Sequence, residues 1–157
     1  MAITVRSSAF KGGQPIPAKY SQDGENLSPP LRFDDVPAEA KELVLIVDDP
    51  DAPRAEPWVH WVLYKVPATV DSLPEGVPVS PRPSRPAGAL QGRNTSGNAG
   101  YDGPAPPKGH GVHHYHFKVY AVDQELNLRP EADKKSVFAA IEEHILDQGE
   151  LVGTYER

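Results

Sequence analysis

The stretch Leu43–Val66, LVLIVDDPDAPRAEPWVHWVLYKV, constrains the fold of this chain more than any other. Leu43–Val47 is apolar at every position, the pattern of a strand covered on both faces. It runs into Asp48-Asp49-Pro50-Asp51-Ala52-Pro53, and carboxylates at the end of a buried strand are costly unless something pairs with them. A few residues later Trp58-Val59-His60-Trp61 opens a second apolar run. A solvated aspartate loop is the simpler reading of the first turn. The immediate return through Trp58 and His60 favours a pocket between two strands, roughly 42–48 and 58–66.

The third strong strand is His113–Val122, HHYHFKVYAV. Strand alternation puts His113, Tyr115, Phe117, Val119 and Ala121 on one face and His114, His116, Lys118, Tyr120 and Val122 on the other. The first set is apolar beyond its leading end, so His113 and Tyr115 are expected at the rim of the core. His114, His116 and Lys118 then look toward solvent or a partner. Shorter strands are read at Ile3–Val5 with Ala9-Phe10, at Leu31–Phe33, at Ala89–Arg93 within a long excursion, and at Glu150–Tyr155. That excursion, 67–107, holds nine prolines, and proline cannot donate to a sheet ladder. One helix is expected, capped by Asp133, with Val137, Phe138, Ile141, Ile145 and Leu146 on its apolar face and Gly149 ending it. The helix dipole accounts for His144 near its C-terminus.

Composition narrows the function classes. The 157 residues suit one domain, 1–157. A net charge of −6 argues against a nucleic-acid groove or an anionic membrane as partner. With no cysteine, disulfides, thiolate nucleophiles and sulfur-ligated metals are excluded. No apolar run approaches the roughly 20 residues of a bilayer span, and the start Met1–Arg6 lacks a secretory core. A soluble cytoplasmic protein, not embedded in a membrane, is the expectation.

Four of the six histidines fall in His110–His116, which raises zinc or iron. His113 and His114 point to opposite faces, however, and no Glu follows His114 and His116 closely enough to complete a cupin-like pattern. There is no G-x-S-x-G elbow. Gly97–Gly103 lacks the Lys-Ser or Lys-Thr of a phosphate loop and precedes a strand, not a helix. What remains is a set of binding groups, namely Asp49, Asp51, Trp58, His60, His113 and Tyr115, with backbone N–H groups near Gly103–Gly111. Such a set can hold an oxyanion.

Two segments carry a family resemblance. Asp49-Pro50-Asp51-Ala52-Pro53 followed by Trp58-x-His60-Trp61 resembles the first signature of the phosphatidylethanolamine-binding proteins, which include the Raf kinase inhibitor proteins. Gly100-Tyr101-Asp102-Gly103-Pro104-Ala105-Pro106-Pro107-x-Gly109 with Gly111-x-His113-x-Tyr115-x-Phe117 resembles the second. The likeness extends to Gly24–Leu31 and Gly149–Tyr155, and is strongest to the prokaryotic branch. It implies a mostly β fold, a large antiparallel sheet packed on a smaller one, with an anion pocket at one end. Asp49, Pro53, Trp58, His60, Ala105, Pro106, His113 and Tyr115 would line that pocket. It also implies cis peptides at Ala52-Pro53 and Glu56-Pro57. His114 stands where the family usually has Arg, and Phe33 where it often has Trp.

The reading is a non-catalytic protein, without cofactor or required metal, that binds phosphate or a phosphoryl head group and modulates a kinase or other enzyme. Its expected ligand-binding residues are Asp49, Asp51, Pro53, Trp58, His60, Ala105, Pro106, His113 and Tyr115. The protein partner is unidentified and a homodimer is left open. The alternative is an acid–base hydrolase using Asp49 with His60 or His113; a metal-dependent barrel enzyme ranks third. Because a carboxylate repels a bare phosphate, Asp49 is expected to orient an imidazole or meet a ligand ammonium.

Overall fold

The computed structural model describes residues 2–157. Its strands are β1 (Thr4–Arg6), β2 (Leu31–Asp34), β3 (Glu42–Asp49), β4 (Trp58–Pro67), β5 (Ser72–Leu73), β6 (Leu90–Gln91), β7 (His113–Val122) and β8 (Ile145–Tyr155). One helix, α1 (Lys134–Ile141), precedes β8. The strands form a small sheet in the order β1-β2-β5 and a large one in the order β6-β4-β3-β7-β8, with every pairing antiparallel. The expected fold, a large antiparallel sheet on a smaller one, is what the chain adopts. No helix among the described residues is long and apolar enough to cross a membrane.

The continuous apolar run of β3 has its explanation in two cores. On one face Leu43, Leu45 and Val47 join Trp61, Leu63, Phe117 and Val119 against Val5, Leu31 and Phe33 of the small sheet. On the other, Val44 and Ile46 pack with Val62, Tyr64 and Val122 beneath Val137 and Ile141 of α1 and Leu126 of the preceding loop. Every residue of β3 is buried as a result. The β7 alternation holds: His113, Tyr115, Phe117, Val119 and Ala121 are all buried toward the small sheet. Its opposite face is solvated only at the His114 end, since Val122 is buried in the second core.

The helix is shorter than expected. Asp133 does cap it, accepting the Ser136 N–H at 2.8 Å, but Ile145, Leu146 and Gly149 belong to β8. The spacing of Ile141 and Ile145 is helical, yet the segment from Ile145 gains a ladder to β7 along its whole length. Gly149 is not a helix stop. A Cβ there would lie 1.8 Å from the Ile3 carbonyl oxygen, so this glycine lets the N-terminal segment cross β8. His144 accordingly lies outside the helix, beside Asp123 at 3.1 Å.

The cis peptides expected at Ala52-Pro53 and Glu56-Pro57 are absent; the cis bond among the described residues is Arg85-Pro86. The turn after β3 is made differently. Asp49 Oδ1 accepts the Asp51 N–H at 2.8 Å, an Asx turn, and the Arg54 N–H reaches the Ala52 carbonyl at 2.7 Å. With the whole of 50–57 to reverse direction, the chain needs no cis bond there.

Candidate functional site

The end of the large sheet where β3 stops and β4 and β7 begin encloses a cavity of about 220 Å³. All the expected ligand-binding residues line it except Asp51, and Gln22, Ala52 and Pro107 join them. Asp51 sits outside, where its Oδ2 takes both the backbone N–H and the Nδ1 of His114 at 2.8 Å.

His60 reaches the cavity because β4 is irregular. Val47 pairs with Trp61 but Asp48 pairs with Val59, which leaves His60 as the extra residue of a β-bulge. Strict alternation would put His60 opposite to Trp61, toward α1. The bulge lets Trp61 stay in the inner core while His60 meets Tyr115 edge-on, ring centroids 5.1 Å apart, and Val59 packs toward α1.

Both pocket imidazoles are anchored through Nδ1. His60 Nδ1–H donates to the Asp102 carbonyl at 2.6 Å, and His113 Nδ1 meets Asp49 Oδ2 at 2.6 Å. A carbonyl can only accept, so the proton of neutral His60 is on Nδ1 and its Nε2 is the nitrogen available to the cavity. The Asp49–His113 pair is buried on both sides, with side chains 4% and 2% exposed. Asp49 thus orients an imidazole, the first of the two roles expected for it.

The loop that carries Asp102 is fixed in turn. Asp102 Oδ1 accepts from Gln22 and Asn26, its Oδ2 accepts from Ser96, and Asn26 Oδ1 accepts the Gly103 N–H. Gly103 is required there, because a Cβ would fall 2.3 Å from the Tyr20 carbonyl oxygen. The tether for His60 is therefore the backbone of a pinned loop.

Electrostatics follow burial. Desolvation pushes the His60 pKa down, and the Asp102 carbonyl and Asp49 only partly offset it. Burial therefore favours neutral His60. Burial, then the Asp49 charge, push the Tyr115 phenol up, keeping a hydroxyl donor at the wall. For Asp51, burial works upward but the His114 side-chain and backbone bonds outweigh it and hold the carboxylate below its usual range. His114 and His116 turn to separate carboxylates, Asp51 and Glu150, and do not converge.

Comparison with known proteins places the chain in a family. Residues 6–156 match the family model described as phosphatidylethanolamine-binding protein. The chain belongs to the phosphatidylethanolamine-binding protein family. It is 47% identical to a UPF0098 protein of Methanothermobacter thermautotrophicus over 155 residues, covering 99% of each chain. A UPF0098 protein of Pyrococcus abyssi is 50% identical over 151 residues, 96% of this chain and 84% of its own. The crystal structure of Escherichia coli YbcL, described as a member of the mammalian family, superimposes with a TM-score of 0.92 at 33% identity, covering 100% and 99%.

Two features of the site escaped the sequence reading. The Asp102 tether was hidden in a glycine-rich loop whose residues have no periodic orientation. His110, adjoining His113 from the loop before β7, was visible only as one of a histidine cluster.

Proposed function

We propose that this family member is a non-catalytic binding protein whose β3–β4–β7 pocket takes a small oxyanion, phosphate or a phosphoryl head group. The observation that carries the reading is the convergence of two tethered imidazoles and the Tyr115 hydroxyl on one small cavity. At about 220 Å³ it is below the roughly 300–1,000 Å³ of sites for drug-sized ligands. Asp49 is engaged by His113 Nδ1, so its carboxylate orients that imidazole instead of facing a ligand alone. The Asp49–His113 couple is nevertheless what the hydrolase alternative would use, and an assay for phosphoester turnover by the wild type separates the two.

The test is a pH titration of the His60 and His113 imidazole resonances by NMR, with and without sulfate, which does not itself ionise in this range. Burial depresses the His60 pKa, and a bound anion favours imidazolium, so the His60 pKa rises on binding. Protons are then taken up with the anion. Affinity is greatest at mildly acidic pH and falls as pH climbs through the His60 pKa of the complex. His60→Ala weakens sulfate binding and flattens that dependence. Sulfate binding that shifts neither resonance would place the anion elsewhere and end this reading.

A further inference from the structure

The loop before β7 brings a third imidazole to the pocket's edge. His110 Nδ1 lies 2.6 Å from His113 Nε2, with the two rings 4.8 Å apart between centroids. His113 Nδ1 belongs to Asp49, so Nε2 is all that His113 has to offer a ligand, and His110 covers it. The two residues differ in freedom. His113 is 1% exposed on a central strand, whereas His110 is exposed between Gly109 at φ 74° and Gly111 at φ 98°. A Cβ at either glycine would meet nothing within 4 Å, so these glycines serve backbone conformation and the loop has open space beside it.

An N–H···N bond needs one donor and one acceptor. With a single proton between the two facing nitrogens the contact is stable. A second proton puts an N–H on each side at a separation that admits only one, and the contact then holds only if an acceptor enters between them. A phosphoryl or sulfate oxygen is such an acceptor and takes a charge-assisted bond from each ring. We propose that His110 is a movable cap and a third anion-binding residue. It closes over His113 in the empty pocket and swings out to share the bound oxyanion with it when both rings are protonated.

This inference rests on the oxyanion reading of the pocket. The groups around the His110–His113 contact are Asp49 from β3, His60 from β4 and Tyr115 from β7, while Asp51 and His114 pair with each other outside the pocket. Lys108 adjoins His110 on the loop. Arg157 accepts the Gly109 N–H through its carbonyl and spends its guanidinium on Asp23. An arriving anion can accept from both rings only when each facing nitrogen carries a proton, so protons are taken up on binding.

Sulfate titration calorimetry of wild type and His110→Gln, in buffers of different ionisation enthalpy, counts those protons. His110→Ala serves as a second variant. Wild type is expected to take up about one proton per sulfate more than either variant. Its affinity should also fall with rising pH more steeply, by up to about tenfold per pH unit. A purely structural His110 would change affinity without changing the proton count. Equal uptake, with sulfate bound by all three proteins and the His60 and His113 resonances shifted, overturns the cap and leaves the pocket reading intact. Sulfate that shifts neither resonance in any of them overturns the pocket reading, and the cap with it.

Discussion

Consecutive histidines on β7 make the same bond in two different settings. His113 Nδ1 meets Asp49 at 2.6 Å with both side chains almost fully buried. His114 Nδ1 meets Asp51 at 2.8 Å with side chains 50% and 40% exposed. The residue types are identical, and the aspartates stand two apart on one turn. Only the direction of the strand's alternation differs, yet it decides which pair is buried at the cavity and which is peripheral. In water the outer pair gains little over separate hydration. Between the sheets, neither inner partner has a replacement.

Removing one partner from each pair should expose the contrast. Asp49→Ala leaves His113 buried without its acceptor and strips the Asx turn from the Asp51 N–H, so urea denaturation should show a loss of about 3–5 kcal/mol. Asp51→Ala leaves groups that water can reach and should cost under about 1 kcal/mol, less still at high salt. A comparable loss from both would show that burial does not separate them.

The outer pair should be more visible in pH dependence than in total stability. The Asp51 pKa is held down in the folded protein, so the unfolded chain binds its proton first on acidification. The stabilisation is therefore complete above the unfolded carboxylate pKa of about 3.9 and is lost as pH falls through the lower folded value. In Asp51→Ala this part of the acid limb should vanish, as denaturation midpoints from about pH 5 to pH 2 would record. An unchanged acid limb would mean that the His114 contact does not form in solution.

The contrast was partly legible in the sequence. The alternation of β7 separates His113 from His114, and the uninterrupted apolar run of β3 announces two covered faces. The strand period of β7 assigned His113 and Tyr115 a face, whereas Pro53, Ala105 and Pro106, which lie in loops, were implied only by the family resemblance. The misses have a common origin. His110 and Asp102 lie in loops, where no period assigns a direction. The bulge at His60 depends on how β4 registers against β3, which neither strand specifies alone. The extent of α1 failed for a related reason: Ile141 and Ile145 keep helical spacing, but pairing with β7 outweighs it. Gly149, which resembles a cap in sequence, is explained only by the crossing of Ile3.

The smallest effect concerns the position where the family usually carries arginine. His114→Arg replaces an imidazole that is charged only when protonated with a guanidinium that is charged throughout the working range. The backbone bond from the residue 114 N–H to Asp51 survives, since it does not depend on the side chain. Side-chain exposure of 50% leaves room for the longer chain, and an exposed ion pair adds a few tenths of a kcal/mol at most. Stability should therefore change by no more than about 0.5 kcal/mol, checked by denaturation in low and high salt. Sulfate affinity responds differently. Residue 114 is absent from the pocket wall, so a nearby positive charge can raise affinity only through the longer-range field, which salt screens over about 8 Å at physiological ionic strength. A modest gain that disappears in high salt is the expected result. A gain that persists in salt would mean that the new guanidinium enters the pocket, and the division between an inner, ligand-facing pair and an outer, solvated one would then fail at this position.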